Sequence, residues 1–507
     1  MAPTVATESG RVRGSQNAGI ARFLAVPYAA APVAARRFCA PMPHPGWEGV
    51  RDATARGPNA PQVSRPFPNL NVAPVIGSGW RRGDEFLTAN VWTPDPGGRN
   101  LPVAVFIHGG ACVAGENDAA VHDGTRFARS GIVCIAINYR LGVEGFLPIP
   151  GVPTNLGLRD QIAALEWVRR NAPAFGGNPD DLTVFGESAG AMCIANLLES
   201  PLAKGLFRRA IVQSGHGSMV RSRAVGSRLV DALAVRLGVP PNVDGFRTCS
   251  EDRCLAAIEA ISRPGAIDLR EADGRDPTYG LTRFLPIHGD DVLPEPPLTA
   301  LARGAGADVE LMIGTNREEM NLYFVPTGVI RNLTDEAALA ALQAVEPQAR
   351  AVLEDYRAAR PDASAGAVYA DATTDLVFRW PARRFAAVHR GATHVYEFEW
   401  RSNAAGGELG ACHAVELPFV FDTLASCTGA DGLAGDAPPQ ELADRVHRLW
   451  VDFMSGRALP WAAYDPESRN VRMLARDATE TEKEMLAARH VLRDGVLSRK
   501  GTEPSGG

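Results

Sequence analysis

One serine stands among neighbours that would make it a nucleophile. The stretch 182–197 reads as a short apolar strand, Leu182-Thr183-Val184-Phe185, then Gly186-Glu187-Ser188-Ala189-Gly190, then a helix through Met192-Cys193-Ile194-Ala195-Asn196-Leu197. Gly-x-Ser-x-Gly between a strand and a helix is the spacing of a nucleophile elbow. So sharp a turn leaves no room for a side chain two residues to either side of the serine. Ser188 is the candidate nucleophile. A serine hydroxyl attacks poorly near neutral pH, so it needs a base, a group that orients the base, and donors for the charge that develops on the substrate oxygen.

The rest of the chain offers all three. After an apolar run at 103–107 comes His108-Gly109-Gly110-Ala111, where backbone with little side chain can turn its amides toward a ligand. Gly109 and Gly110, with the amide of Ala189, are the expected oxyanion hole. Where such an elbow sits in a sheet, the order along the chain is nucleophile, acid, histidine. Downstream, Leu311-Met312-Ile313 runs into Gly314-Thr315-Asn316-Arg317-Glu318-Glu319, which puts carboxylates at the C-terminal end of a strand, where α/β sheets place ligands. Glu319 is the preferred acid and Glu318 the alternative. Seven histidines follow Ser188: His216, His288, His389, His394, His413, His447 and His490. Only His413 sits in a loop after a late strand, in Gly410-Ala411-Cys412-His413-Ala414-Val415-Glu416, and it is the expected base. Met192, Leu322, Tyr323 and Phe324 are apolar residues near the nucleophile and the acid in sequence, and are expected to line a substrate pocket. Cys112 and Cys193 are close to the same site in sequence, which predicts sensitivity to thiol reagents.

These residues need a scaffold, and its elements are readable. The runs 103–107, 132–137, 182–185, 210–212, 311–313 and 395–398 are short and nearly continuously apolar, as strands buried on both faces should be. Helical periodicity at 159–175, 189–199 and 223–237 alternates with them. The expectation is an α/β protein with a mostly parallel central sheet and helices on both faces. Residues 10–62 are turn-rich and suggest a short antiparallel edge, 87–93 a further strand, and 61–82 a Pro- and Gly-rich loop bordering the site. The segment 335–389 is helical and Ala-rich, so a cap-like insertion is expected at about 320–390 within a single domain of residues 1–500. Residues 501–507 are expected to be a disordered tail.

Composition excludes several functions. The chain of 507 residues is 45% hydrophobic and 22% charged with a formal net charge of -6, ordinary for a protein with a large core. It carries no sign of nucleic-acid or anionic-membrane binding. Among its basic residues lysine occurs only at Lys204, Lys483 and Lys500, which fits a GC-rich bacterial coding bias. No apolar run approaches the length of a membrane span, and the first residues lack the basic start and apolar core of a signal peptide. The expected compartment is the cytoplasm. The eight cysteines have no metal-ligand spacing and should mostly be free thiols, although Cys249 and Cys254 are close enough to pair. No cofactor or metal is expected. The oligomeric state is expected to be a monomer or small homo-oligomer.

With these motifs in hand, the chain resembles the carboxylesterase type B family, which includes cholinesterases, mammalian carboxylesterases and bacterial para-nitrobenzyl esterases. The similarity runs through Asn90-Val91-Trp92-Thr93-Pro94, His108-Gly109-Gly110, Asn138-Tyr139-Arg140-Leu141-Gly142, Asn155-Leu156-Gly157-Leu158-Arg159-Asp160-Gln161, Phe175-Gly176-Gly177-Asn178-Pro179, the serine elbow and Gln213-Ser214-Gly215. The resemblance implies the α/β-hydrolase fold and a serine carboxylesterase that passes a small-molecule ester through an acyl-enzyme on Ser188. It places the family's catalytic glutamate on Glu319 and its histidine on His413. It also implies that Glu187 and Glu416 form a buried acidic pair near the histidine, that Ser214 supports the triad, and that Asp84 pairs with Arg37 or Arg140. Ala111 stands in place of a third oxyanion glycine and Cys112 in place of an aromatic residue, which puts both at the expected pocket. The family's Glu-Asp-Cys-Leu reads here Asp84-Glu85-Phe86-Leu87, so the disulfide of secreted members is missing. The same triad on an amide or carbamate substrate, or a non-catalytic binding protein of the neuroligin type, are the alternatives.

Overall fold

The computed structural model describes residues 2–491 apart from Arg65, Arg99 and Pro264. The tail expected at 501–507 lies outside the described residues. The strands, in chain order, are β1 (Thr4–Thr7), β2 (Gly10–Arg13), β3 (Ser15–Asn17), β4 (Ile20–Pro27), β5 (Val50–Asp52), β6 (Thr88–Thr93), β7 (Leu101–Ile107), β8 (Val133–Ile137), β9 (Gly177–Glu187), β10 (Arg209–Gln213), β11 (Glu310–Asn316), β12 (Thr393–Phe398), β13 (Asn470–Met473) and β14 (Ala478–Thr481). Among the described residues eleven of them form one sheet, in the order β14-β13-β12-β11-β10-β9-β7-β8-β6-β4-β3, and β1, β2 and β5 form a small second sheet. From β13 through β8 neighbouring strands are parallel; β6, β4, β3 and β14 run antiparallel to theirs.

Alternate side chains of the central strands feed two apolar layers, as the two-residue period of a strand requires. Val103, Val105 and Ile107 join one layer with Val184 and Val212, while Ala104 and Phe106 join the other with Phe185, Ile211 and Met312. Both faces are therefore dry, which explains why these strands read as unbroken apolar runs. Helices α1 (Leu156–Asn171), α2 (Ala189–Leu197), α3 (Arg223–Leu237) and α4 (Glu251–Ile261) follow in sequence. Helices α5 (Asp335–Gln343), α6 (Ala349–Ala359), α7 (Ala365–Thr374) and α8 (Trp380–Val388) interrupt the chain between β11 and β12. They have a small core of their own around Leu342, Val352, Tyr356 and Leu376. A further cluster of Met192, Met219, Met320, Val377 and Phe378 ties them to the sheet's helices. Helix α9 (Gln440–Met454) buries Leu442, Val446 and Trp450 on one stripe. Among the described residues no helix is long and apolar enough to cross a membrane.

What matters for the site is register. In the parallel block Ile107 lies beside Gly186, Glu187 beside Gln213, and Gln213 beside Gly314. The turns that leave β7, β9, β10 and β11 therefore emerge side by side at one edge of the sheet, and they carry His108, Ser188, Ser214 and Glu319.

Two expectations need correction here. The pairing of Asp84 with Arg37 or Arg140 does not form: Asp84 is exposed, while Arg37 pairs with Glu144 and Arg140 with Asp160, each at 2.6 Å. A buried guanidinium needs a partner buried with it, and Asp160 on α1 is as fully enclosed as Arg140. The apolar runs also ended at β12, whereas β13 and β14 extend the sheet. They are four residues each, and β14 is almost wholly solvent-facing, so no hydrophobic run marks them.

Candidate active site

Ser188 sits between β9 and α2 with φ 54° and ψ -125°, a left-handed conformation that a residue with a side chain adopts only when its surroundings impose it. The imposing feature is visible at the flanking glycines. A Cβ on Gly190 would stand 2.0 Å from the carbonyl oxygen of Ile107, and one on Gly186 would stand 2.6 Å from the same atom. The elbow is pressed against the end of β7, so both positions must be glycine. The Ser188 amide donates to Gln213 O at 2.9 Å, which fixes the elbow to β10.

His413 and Glu319 meet beside it. His413 Nδ1 donates to Glu319 Oε2 at 2.7 Å. The other oxygen, Glu319 Oε1, accepts from Ser214 Oγ at 2.6 Å and from the amide of Asn316 at 2.7 Å. Three donors converge on this buried carboxylate. The adjacent Glu318 faces the other way: its Oε2 accepts from the Ala411 amide at 2.9 Å and its Oε1 pairs with Arg401. Two successive carboxylates thus serve two purposes, one facing the imidazole and one fastening the loop that carries it.

Behind them lies a polar chain. Glu416 accepts from Gln213 Nε2 at 3.1 Å and from Asn316 Nδ2 at 2.6 Å, and Gln213 Oε1 accepts from Trp450 Nε1 at 3.0 Å. Sequence reasoning missed Gln213, Asn316, Trp450 and this use of Glu318. The available signal was a glutamine and an asparagine at the C-terminal ends of two strands with apolar centres, β10 and β11.

The electrostatics are set by three carboxyls around one imidazole. Burial alone would lower the His413 pKa, but the charge of Glu187 and the hydrogen bond and charge of Glu319 outweigh it and lift the imidazole to about 9. Burial pushes Glu187 up to about 8, against the pull of His413 and with the repulsion of Glu416 and Glu319. Glu187 Oε1 lies 3.0 Å from His413 Nε2 in an ion-pair contact whose angles do not make a hydrogen bond, and among the described residues neither atom has a hydrogen-bond partner. The two titrate as a pair: once Glu187 takes a proton, the imidazole loses the largest charge that favours its own protonation.

Gly109 passes so close to the elbow that a Cβ on it would stand 3.0 Å from Ser188 Cβ. Gly110 has φ 109°, and its Cβ would meet Ala114 O at 2.1 Å. Among the described residues the amides of Gly109 and Gly110 take part in no hydrogen bond, and Ala189 is the first residue of α2, where amides lack a partner within the helix. His108, by contrast, is buried, stacks on Tyr139 at 4.6 Å and has its pKa pushed down to about 4 by burial, so it is a neutral strut for this loop.

A cavity of about 480 Å³ opens over Ser188 and His413. Ala111, Leu322 and Tyr323 line it, with Phe67, Val72, Val75, Ile76 and Leu433. The loop expected to border the site supplies four of those eight apolar residues, Phe67, Val72, Val75 and Ile76. Three expected pocket residues lie elsewhere. Cys112 is 2% exposed and packs into the core beside Cys193, Met192 packs with Met219 and Met320, and Phe324 faces Tyr369. Spacing along the chain put these residues near the site, but each side chain points into a core. The neighbouring Cys193 thiol, with burial, raises the Cys112 thiol well above its ordinary pKa, and both side chains are buried, so the structure speaks against the expected sensitivity to thiol reagents. All eight cysteines are free, Cys249 and Cys254 included.

An eleven-stranded sheet, largely parallel, with a serine elbow between a central strand and its helix defines an α/β hydrolase. The Carboxylesterase family matches residues 1–491 of the chain. The para-nitrobenzyl esterase of Bacillus subtilis (strain 168) is 37% identical over 496 residues, 94% of this chain and 95% of that protein. The phenmedipham hydrolase of Pseudarthrobacter oxydans is 31% identical over 96% of this chain and 98% of its own length. A solved PNB esterase superposes with a TM-score of 0.80 at 33% identity, covering 95% of this chain and 97% of that one. The chain belongs to the carboxylesterase family and is a carboxylic ester hydrolase acting on small-molecule esters.

Proposed function

We propose that Ser188, His413 and Glu319 are the catalytic triad of this esterase and that the amides of Gly109, Gly110 and Ala189 form its oxyanion hole. The observation that carries this reading is the 2.7 Å bond from His413 Nδ1 to Glu319, beneath a cavity that also exposes the strained Ser188. In the first step His413 Nε2 takes the Ser188 proton as Oγ attacks the ester carbonyl, and the three amides hold the oxyanion. The imidazolium then gives its proton to the leaving alcohol. In the second step the imidazole activates water, which releases the acid from the acyl-serine. Glu319 orients the imidazole and stabilises its charged form; Ser214, Glu187 and Glu416 are supporting groups.

The mainly apolar lining favours uncharged esters with apolar acyl or alcohol parts. The cavity is complete within one chain, which suits a monomer or a small homo-oligomer. Eight free thiols suit a cytoplasmic protein. The test is labelling with a fluorophosphonate, peptide mapping of the adduct, and turnover of a short para-nitrophenyl ester. Labelling at Ser188 with matching loss of activity is expected, and Ser188→Ala should lower kcat by about 10⁴-fold or more. Unchanged turnover in purified Ser188→Ala would end the proposal.

A further inference from the structure

Behind the site α7 runs into α8 through Asp375–Arg379, which form a π-helical turn. The sequence supplies a cause. Pro381 is the second residue of α8 and has no amide hydrogen, so the carbonyl of Val377, four residues earlier, loses its helical donor. His216 Nε2 donates to that carbonyl instead, at 2.8 Å. The amide of Trp380 reaches back five residues to Asp375 O, which widens the turn.

The widened turn faces the triad. Phe378, 1% exposed, has its ring centroid 4.8 Å from that of His413, with 38° between the planes. On one side of it Thr374 Oγ1 accepts from the Met320 amide at 3.2 Å; on the other, the Arg379 guanidinium donates to Arg317 O. One turn of helix therefore touches the chain before and after Glu319 and the face of the imidazole that Glu319 holds.

His413 needs such support. Among the described residues its ring has one side-chain hydrogen bond, at Nδ1, while Nε2 has none and lies 3.0 Å from Glu187 Oε1. An imidazole held at one nitrogen pivots about that bond unless its faces are packed. Tyr323 lies against it at 5.8 Å, but Tyr323 also lines the open cavity. Phe378 is the enclosed contact.

We infer that Phe378 is a positioning residue: its ring limits the pivot of the His413 imidazole about the Glu319 bond and keeps Nε2 within reach of Ser188, and the turn made by Pro381 aims it there. This rests on the reading of His413 as the base. In Phe378→Leu, which keeps apolar bulk but loses the flat face, kcat should fall between about tenfold and a hundredfold with KM nearly unchanged. The acid limb of the kcat/KM profile should move to higher pH, because an imidazole with a looser cover is better hydrated in its charged form. Around it stand Glu187, Glu319 and Glu416, all unaltered in this variant.

Val377→Ala cuts the same buried turn without touching the imidazole, and should leave the pH limb in place and lower kcat less. Wild-type kcat and limb in Phe378→Leu, or an equal loss in Val377→Ala, would overturn the inference. If Phe378→Leu does not fold, Pro381→Ala decides. Its restored amide competes with His216 for Val377 O, so kcat should drop without loss of thermal stability; a folded Pro381→Ala with full kcat overturns the inference. Fluorophosphonate labelling of the wild type keeps the two readings apart. No adduct on Ser188 would refute the triad itself, whereas a labelled wild type with an unaffected Phe378→Leu refutes only the clamp.

Discussion

Glu187 stands one residue before the proposed nucleophile and 3.0 Å from His413 Nε2, the nitrogen that the proposed mechanism needs free to take a proton. A base works only when unprotonated, and with Glu187 ionised the imidazole is held near 9. The rate should therefore rise with pH through the neutral range and into the alkaline one, the limb belonging to the Glu187–His413 pair as a whole. Glu187→Gln removes the charge and keeps the shape. Loss of the charge lowers the imidazole's proton affinity, so the acid limb of kcat/KM should move down by on the order of one pH unit. A limb that stays put or moves up in a pH–rate series would exclude this coupling. At this scale the sequence spoke unevenly. Ser188 was readable because the glycines beside it answer a local steric need, and His413 because of its place after a late strand. Glu318 and Glu319 could not be separated by spacing, since the difference is which way each side chain leaves the turn. Phe378 was not readable, because its relation to His413 exists only where two distant segments pack.

The element that carries most of the design is the β9 elbow and α2. Its tightness comes from contact between backbones: the Gly190 Cα faces the carbonyls of Ile107 and His108, where an added Cβ would stand at 2.0 and 2.6 Å. Those carbonyls belong to the end of β7 and the turn at 108–111 and cannot retreat as a flexible side chain would. Gly190→Ala should therefore destabilise the protein by about 1–3 kcal/mol. The same change should shift Ser188 enough to lower para-nitrophenyl ester turnover about a hundredfold. A soluble Gly190→Ala protein with wild-type turnover and melting temperature would mean that the elbow has slack the packing does not show. Elements of this kind explain what was legible. The central strands announced themselves because both faces are dry, and α3 because its buried Val225, Leu229, Leu233 and Leu237 recur at helical spacing. The strand β13 was silent because it is four residues long with a buried arginine between its two apolar side chains, and β14 because it is almost wholly solvent-facing; the turn at Asp375–Arg379 was silent because a proline within helical text signals a break without saying which carbonyl it frees.

At the scale of the whole molecule, one buried acid among the described residues serves neither the proposed triad nor a salt bridge. Glu199 follows the last turn of α2, and among the described residues both its carboxyl oxygens are buried without a hydrogen-bond partner. Burial, and then the charge of Glu295, raise its pKa well above the ordinary carboxyl value, and the negative end of a helix works in the same direction. In the unfolded chain the same carboxyl ionises near its ordinary value, so between that value and the raised one folding takes up a proton here. The sign follows: because the folded pKa is the higher one, the native state is favoured at acid pH relative to neutral, and that advantage is lost as pH rises through the folded pKa. Glu199→Gln cannot ionise. It should match the wild type in apparent melting temperature near pH 4 and exceed it increasingly up to the raised pKa, with ester turnover unchanged at a temperature where both are folded. Scans must share one rate, since a chain of this size can unfold irreversibly. A variant whose melting temperature tracks the wild type at every pH would mean that the Glu199 carboxyl is ionised in the native state and that solvent reaches it. A steeper fall with pH in the variant would reverse the sign of the linkage altogether.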